Sequence, residues 1–192
     1  MVGIKPSAVL IKALRSFATC DTEIYGGYLD GITVFSPERQ AGSTKIFGEA
    51  ITVKMVDASD KASPSLSKHF VTGKIMFISQ PPGTYSACWG GLMTTRARFL
   101  GAQVVIVDGR FRDRLEQREM GFAVFALQFK DDLWIHPGDY LMGDADGVVV
   151  IPAAQVQSVV ELRTERKKVD DLTFEVLQNV ELIGDAIKRL RK

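Results

Sequence analysis

The feature that most constrains this chain is a set of short runs that are apolar at nearly every position. "GKIMFIS" (73–79), "VVIV" (104–107) and "FAVFAL" (122–127) are such runs. A strand with one wet face alternates apolar and polar residues, so a run without alternation belongs in a sheet core covered on both faces. Between the runs lie "LMTTRARFLGA" (92–102), with helical spacing and a glycine stop at Gly101, and a short helical stretch around 115–120. Strand, helix, strand, helix, strand predicts parallel βαβ units and hence an α/β fold.

The flanks extend this frame. Residues 5–18 read as a helix with Val9, Leu10, Ala13, Leu14 and Phe17 on one side. Asp21 follows it, "YGGYLDG" is turn-rich, "GEAITVKMVD" (48–57) has strand composition, and 57–69 form a polar, serine-rich loop. "GDYLMGDADGVVVIP" predicts two short strands around a tight turn at 144–147. Pro152 suits the first turn of a helix from Ala153 to about Lys168, and a second amphipathic helix runs from about Leu172 to Leu190. Val156, Val159, Val160, Val176, Leu177 and Val180 give these two helices an apolar side for packing. The length fits one domain over 1–192, with a core over about 5–152 and a C-terminal helical extension over about 153–192.

Composition removes several function classes. The formal net charge is +1, so no global field draws the chain to nucleic acid or to an anionic membrane. No apolar run approaches the roughly 20 residues that span a bilayer. The first residues are mildly amphipathic, with Lys5, Lys12 and Arg15, but lack a continuous apolar h-region and a cleavage site. They read as the first helix of the domain rather than a secretory signal, with a mitochondrial presequence as the weaker alternative. Cys20 and Cys88 have no CxxC spacing and fit a reducing compartment, so a cytoplasmic protein is expected.

Chemistry concentrates where "VVIV" ends. Asp108, Arg110, Arg112, Asp113, Arg114 and Glu116 follow within a few residues, at the carboxyl end of a parallel strand, where α/β proteins bind ligands. The neighbouring βα loop carries Gly90, Gly91, Leu92 and Met93 at a helix entrance, where free N–H groups accept anions. Together these loops would frame one crevice with helix amides, a guanidinium and a carboxylate. An oxo-acid suits it, its carboxylate on the amides or arginine and a hard cation on the aspartate. Arg110, Arg114, Gln117 and Arg118 read as solvated surface or interface, since salt bridges on a surface are common and weak.

Other motifs fail on spacing. There is no GxGxxG after a strand and no GxxxxGK[ST], so dinucleotide, P-loop and methyltransferase readings lack a cofactor loop. Counted from Asp144 as an EF-hand, position six is Val149 and position twelve is Gln155, which cannot serve. No GxSxG elbow is present. His136 precedes Pro137-Gly138 in a turn, His69 closes a polar loop, and Cys88 reads as a packed thiol.

The segments "WGGLMTTRARFLGAQVVIVDGRFRD", "GFAVFA" and "PGDYLMGDADGVVVIP" resemble the family of regulator of ribonuclease activity A (RraA-like), and most closely its fungal 4-hydroxy-4-methyl-2-oxoglutarate aldolase members. The family signature is a glycine, twenty residues, Arg-Asp, two residues, then Glu or Asp; here Gly91 is followed by Arg112-Asp113 and Glu116 at that spacing. The similarity extends from about Asp21 to Pro152. It implies a layered α/β/β/α fold resembling the swivelling phosphohistidine domain. It also implies a divalent-metal-dependent class II pyruvate aldolase, a carbon–carbon lyase that also decarboxylates oxaloacetate through a pyruvate enolate. Carried over, Asp113 would ligate Mg²⁺ or Mn²⁺, Arg112 would hold the pyruvyl oxygens, the backbone of 90–93 would take the substrate carboxylate, and Glu116 would support them. The family's alternative is a non-catalytic regulator binding a ribonuclease. Family enzymes form trimers or paired trimers whose sites are completed by a neighbour's carboxylate, for which Glu161, Glu165 and Asp170 are candidates. The chain departs from the pattern in three places. Some bacterial aldolases carry aspartate at Gly91, "LQFKDDL" (127–133) replaces a longer stretch of strands, and the loop before Gly73 is short.

Overall fold

The computed structural model describes residues 5–19, 22, 27–39, 41–57, 59–60, 66–70, 72–126, 135–178 and 182–190. Cys20, Asp21, residues 127–133 and Val180 lie outside the described residues.

The three apolar runs become neighbouring parallel strands. β1 (Thr33–Ser36), β2 (Ile46–Lys54), β3 (Ile75–Ser79), β4 (Val104–Asp108), β5 (Ala123–Ala126), β6 (Tyr140–Asp144) and β7 (Gly147–Ile151) form one sheet in the order β1-β5-β4-β3-β2-β6-β7. The pairs β2/β3, β3/β4 and β4/β5 are parallel; β1/β5, β2/β6 and β6/β7 are antiparallel. The longest strand, β2, bridges both regimes: Ile46 to Glu49 face β6, and Ala50 to Lys54 face β3. The sheet curls, because Leu29 N–H and Val150 N–H exchange bonds with the carbonyls of Val148 and Gly27, bringing the chain before β1 onto β7.

Period-two geometry explains why the runs are apolar throughout. Ile75, Phe77, Val104, Ile106, Ala123 and Phe125 point into the curl with Leu29, Val34, Leu141, Val148 and Val150. Met76, Ile78, Val105, Val107, Val124 and Ala126 point outward, against Trp89, Ala97 and Phe122. Each buried Val, Ile or Phe contributes about 1.5–3 kcal/mol. Helices α2 (Gly91–Phe99) and α3 (Arg114–Glu119) cover that outer face. Helices α1 (Ala8–Arg15) and α4 (Val156–Gln178) cover the other outer face, where Leu14 and Phe17 meet Tyr140, Val149, Ile151, Val156, Val159 and Val160. Helices, half-sheet, half-sheet, helices: this is the expected α/β/β/α layering with C-terminal helices.

Several boundaries differ from expectation. α1 starts at Ala8 because the Ser7 hydroxyl accepts from Leu10 N–H at 3.4 Å and caps it. Pro152 precedes a 3-10 turn, Ala153–Gln155, instead of occupying an α-helical first turn. The first C-terminal helix does not stop near Lys168. It continues to Gln178, and the second, α5, spans only Ile183–Leu190. Nothing in "KKVDDLTF" breaks a helix, and Thr173 is buried, so packing carries α4 through the expected gap. Gln117 is 0% exposed, so its reading as solvated surface is wrong; the cause lies in the site.

Candidate active site

β3 and β4 end side by side, and their loops run into α2 and α3. At the strand ends, the Ser79 hydroxyl donates to Asp108 Oδ2 at 3.1 Å, and Arg110 N–H donates to Gln80 Oε1 at 2.6 Å. The loops are then laced by backbone bonds of 2.9 Å, Cys88 N–H to the Arg110 carbonyl and Arg112 N–H to the Trp89 carbonyl. This lacing puts the glycine turn at 90–91 directly against Arg112 and Asp113.

The signature residues therefore meet in space. Gly91 N–H donates to Asp113 Oδ2 at 2.8 Å, and Arg112 Nε lies 3.7 Å from the same oxygen. A Cβ on Gly90 would stand 2.6 Å from Asp113 Oδ2, and one on Gly91 would overlap Glu116 Oε2 outright. Two carboxylates thus fill the space that side chains at 90 and 91 would need. Asp113 is the one non-glycine residue with positive φ among the described residues, at 62°. Left-handed backbone costs about 1–2 kcal/mol for most residues and less for Asp. The Gly91 amide repays part of that by fixing the carboxylate.

The predicted site residues 90, 91, 112, 113 and 116 come together. Leu92 is 86% exposed and turns its side chain to solvent, so only its backbone can serve. The first α2 bond runs from Thr94 N–H to the Gly90 carbonyl, which leaves the amides of Leu92 and Met93 ahead of the helical ladder. The Gly91 amide is already engaged by Asp113. The Arg112 side chain is 71% exposed, so its pairing with Asp113 is screened and the guanidinium can turn to a ligand.

Other candidates lie elsewhere. His136 N–H bonds Asp139 Oδ2 at 2.8 Å, beside Ala50 at the amino end of the parallel strands, opposite the site. Burial pushes the Cys88 thiol up to about 11, and Sγ sits 3.6 Å from the Arg110 carbonyl, as suits a packed thiol. Asp144 holds Thr19 and its own turn, as befits a hairpin rather than a calcium loop. Glu161 and Asp170 pair with Gln157 and Arg163 on α4, which packs on α1 and α5. The chain's own α4 does not bring them to Asp113.

Sequence reasoning missed Trp89, Thr94 and Gln117. Trp89 Nε1–H donates to the Thr94 hydroxyl at 2.8 Å, and that hydroxyl donates to Gln117 Oε1. Embedded in "RLEQRE", Gln117 reads as solvated; its position one turn after Asp113 was the available signal.

No group of three or more His, Cys, Asp or Glu side chains able to hold a metal occurs among the described residues. Asp113 and Glu116 supply two carboxylates on one turn, with no thiolate or imidazole. Oxygen donors in small number suit Mg²⁺ or Mn²⁺, which keep several waters and use one or two protein carboxylates. The donor set fits a hard cation.

Among known proteins, one of Methanocaldococcus jannaschii is 30% identical over 136 residues, 60% of this chain and 65% of that protein. The match thus spans just under two thirds of that relative. A Halalkalibacterium halodurans protein, whose name proposes 4-hydroxy-4-methyl-2-oxoglutarate aldolase activity, is 26% identical over 183 residues, 84% of this chain and 86% of that one. The crystal structure of Streptomyces coelicolor RraAS2, titled an unusual member of the RNase ES inhibitor RraA family, shares the fold. Its TM-score is 0.70 at 21% identity, covering 88% of this chain and 98% of that one. The family profile described as RraA-like, Aldolase/RraA, matches residues 20–131, more than half the chain, and the chain belongs to that family.

Proposed function

We propose that this protein is a divalent-metal-dependent class II pyruvate aldolase. It would cleave 4-hydroxy-4-methyl-2-oxoglutarate to pyruvate and decarboxylate oxaloacetate. The observation that carries this reading is the meeting of Gly91, Arg112, Asp113 and Glu116 at the carboxyl ends of parallel strands, with Gly91 N–H on Asp113 Oδ2 at 2.8 Å.

Both reactions break a bond beside a ketone and leave pyruvate as its enolate, so the barrier is set by negative charge growing on the 2-oxo oxygen. Arg112 can turn its positive charge there, and the amides of Leu92 and Met93 orient the substrate carboxylate. Asp113, locked by the Gly91 amide, would hold Mg²⁺ or Mn²⁺ with Glu116 beside it; when bound, the ion polarises the 2-oxo group. The Glu116 carboxylate over Gly91 can hold a water for proton transfer. No lysine Schiff base is needed.

Assembly belongs to this reading. Phe174, Ile183 and Ile187 on α4 and α5 are exposed large apolar side chains that line one groove, suited to a second copy in a homotrimer or dimer of trimers.

The test is oxaloacetate decarboxylation and 4-hydroxy-4-methyl-2-oxoglutarate cleavage, assayed with Mg²⁺, with Mn²⁺ and after EDTA. Activity is expected with either metal and none after chelation. Asp113→Ala is expected to abolish turnover, and Arg112→Ala to lower kcat by about 10²–10³-fold. Full activity in either variant, or in EDTA, sinks the proposal. No turnover by the unaltered protein, with capture of a ribonuclease instead, establishes the regulator reading.

A further inference from the structure

α2 and α3 are joined twice near their amino ends. The outer joint is the backbone lacing and the bond from Gly91 N–H to Asp113. The inner joint, one helical turn deeper, is the chain from Trp89 Nε1–H to the Thr94 hydroxyl to Gln117 Oε1. Trp89 is 1% exposed, and Thr94 and Gln117 are 0% exposed. Their surroundings are apolar: Phe122 stacks on Trp89 at 6.1 Å, and Phe70 meets its edge at 5.7 Å. In that pocket Gln117 Nε2 has no hydrogen-bond partner among the described residues.

A buried amide with an idle donor costs stability; a methionine of the same length would remove that donor but also the acceptor of the Thr94 hydroxyl, so the two effects offset. Stability alone does not account for glutamine here. What the link does fix is the register of two helices. Thr94 N–H bonds the Gly90 carbonyl at 3.0 Å, and Gln117 N–H bonds the Asp113 carbonyl at 3.1 Å, so each side chain rises from the turn that carries a site residue. Trp89 takes the lone pair of the Thr94 hydroxyl and so directs its hydrogen at Gln117. Apolar contact permits small slides between helices; a directional hydrogen bond does not.

We propose that Gln117, acting through the Thr94 hydroxyl, is a positioning residue that holds the Asp113 carboxylate on the Gly91 amide and Glu116 above it. The inference rests on reading Asp113 and Glu116 as the reacting site, and it predicts a loss of turnover at nearly unchanged stability. Gln117→Met is expected to melt within a few degrees of the unaltered protein, since losing the idle donor offsets losing the bond from Thr94. Its kcat for oxaloacetate should fall at least about tenfold with KM within twofold, as for losses among residues that orient a metal ligand. Thr94→Ser, which keeps the hydroxyl, is expected to keep kcat; Thr94→Val is expected to lose it. A Gln117→Met protein with unchanged kcat, or with kcat and melting temperature falling together, overturns the proposal.

A second readout does not depend on turnover. In ¹⁵N-resolved NMR spectra of the full chain, the Gly91 amide proton is expected to move upfield in Gln117→Met as its bond to Asp113 loosens, and to stay in Thr94→Ser. A Gly91 resonance that ignores Gln117→Met overturns the positioning role. If the resonance moves as expected while no 2-oxo acid is turned over, the positioning stands and the aldolase reading falls.

Discussion

Gly91 is where the smallest change has the largest expected effect. A methyl group there would overlap the Glu116 carboxylate, which is the free end of a flexible side chain and can swing away. Gly91→Ala is therefore expected to leave stability within about 1 kcal/mol, since alanine suits a helix better than glycine. Glu116 should nevertheless be expelled from its place and kcat should fall at least about tenfold. Glu116→Ala should lose a similar factor, and the double variant no more than either single, because both remove one arrangement. Additive losses in oxaloacetate decarboxylation would show that the two residues act separately. The identities of Arg112, Asp113 and Glu116 were legible from their spacing to Gly91. That Asp113 takes the Gly91 amide for itself was not, because a positive φ at a non-glycine residue leaves no mark in the sequence.

Elements were legible where one periodicity ruled and illegible where packing decided. β3, β4 and β5 were evident because they are buried on both faces; the break between α4 and α5 was misplaced because no Gly or Pro marks it near Lys168. The hairpin of β6 and β7 was evident from "DADG", yet its first aspartate does more than turn the chain. Asp144 accepts from Thr19 N–H at 3.1 Å and from the Thr19 hydroxyl at 2.6 Å, and from Asp146 N–H at 3.0 Å. It thus fastens the chain after α1 to the hairpin, across 125 residues of sequence. Asp144→Ala is expected to cost about 1.5–3 kcal/mol in urea denaturation, as for bonds to a charged acceptor. Thr19→Val should lose a smaller part of it. An unchanged urea midpoint in Asp144→Ala would show that the α1 layer is held by its apolar contacts alone.

At the scale of the whole molecule, the half-buried Cys88 thiol links stability to pH. Burial raises the Cys88 thiol from its ordinary value of 9.0 to about 11. The folded state therefore favours the protonated thiol more strongly than the unfolded chain does. Its contribution is complete below pH 9 and is lost as pH rises from 9 toward 11. In a Cys20→Ser background, the alkaline fall in denaturation midpoint over that window is expected to shrink in Cys88→Ala, and Cys88 should react more slowly with thiol reagents at pH 8 in the folded than in the unfolded protein. By itself, the sequence determined the parallel strands, the two βα loops and the residue types they carry. Those follow from local periodicity and from spacing along the chain, which need no third dimension. Only the tertiary structure decided which groups face one another: Asp113 on the Gly91 amide, Glu116 over a glycine, and Gln117 buried against Thr94. Those contacts join segments more than twenty residues apart, and their geometry is set by how α2 and α3 pack on the curled sheet.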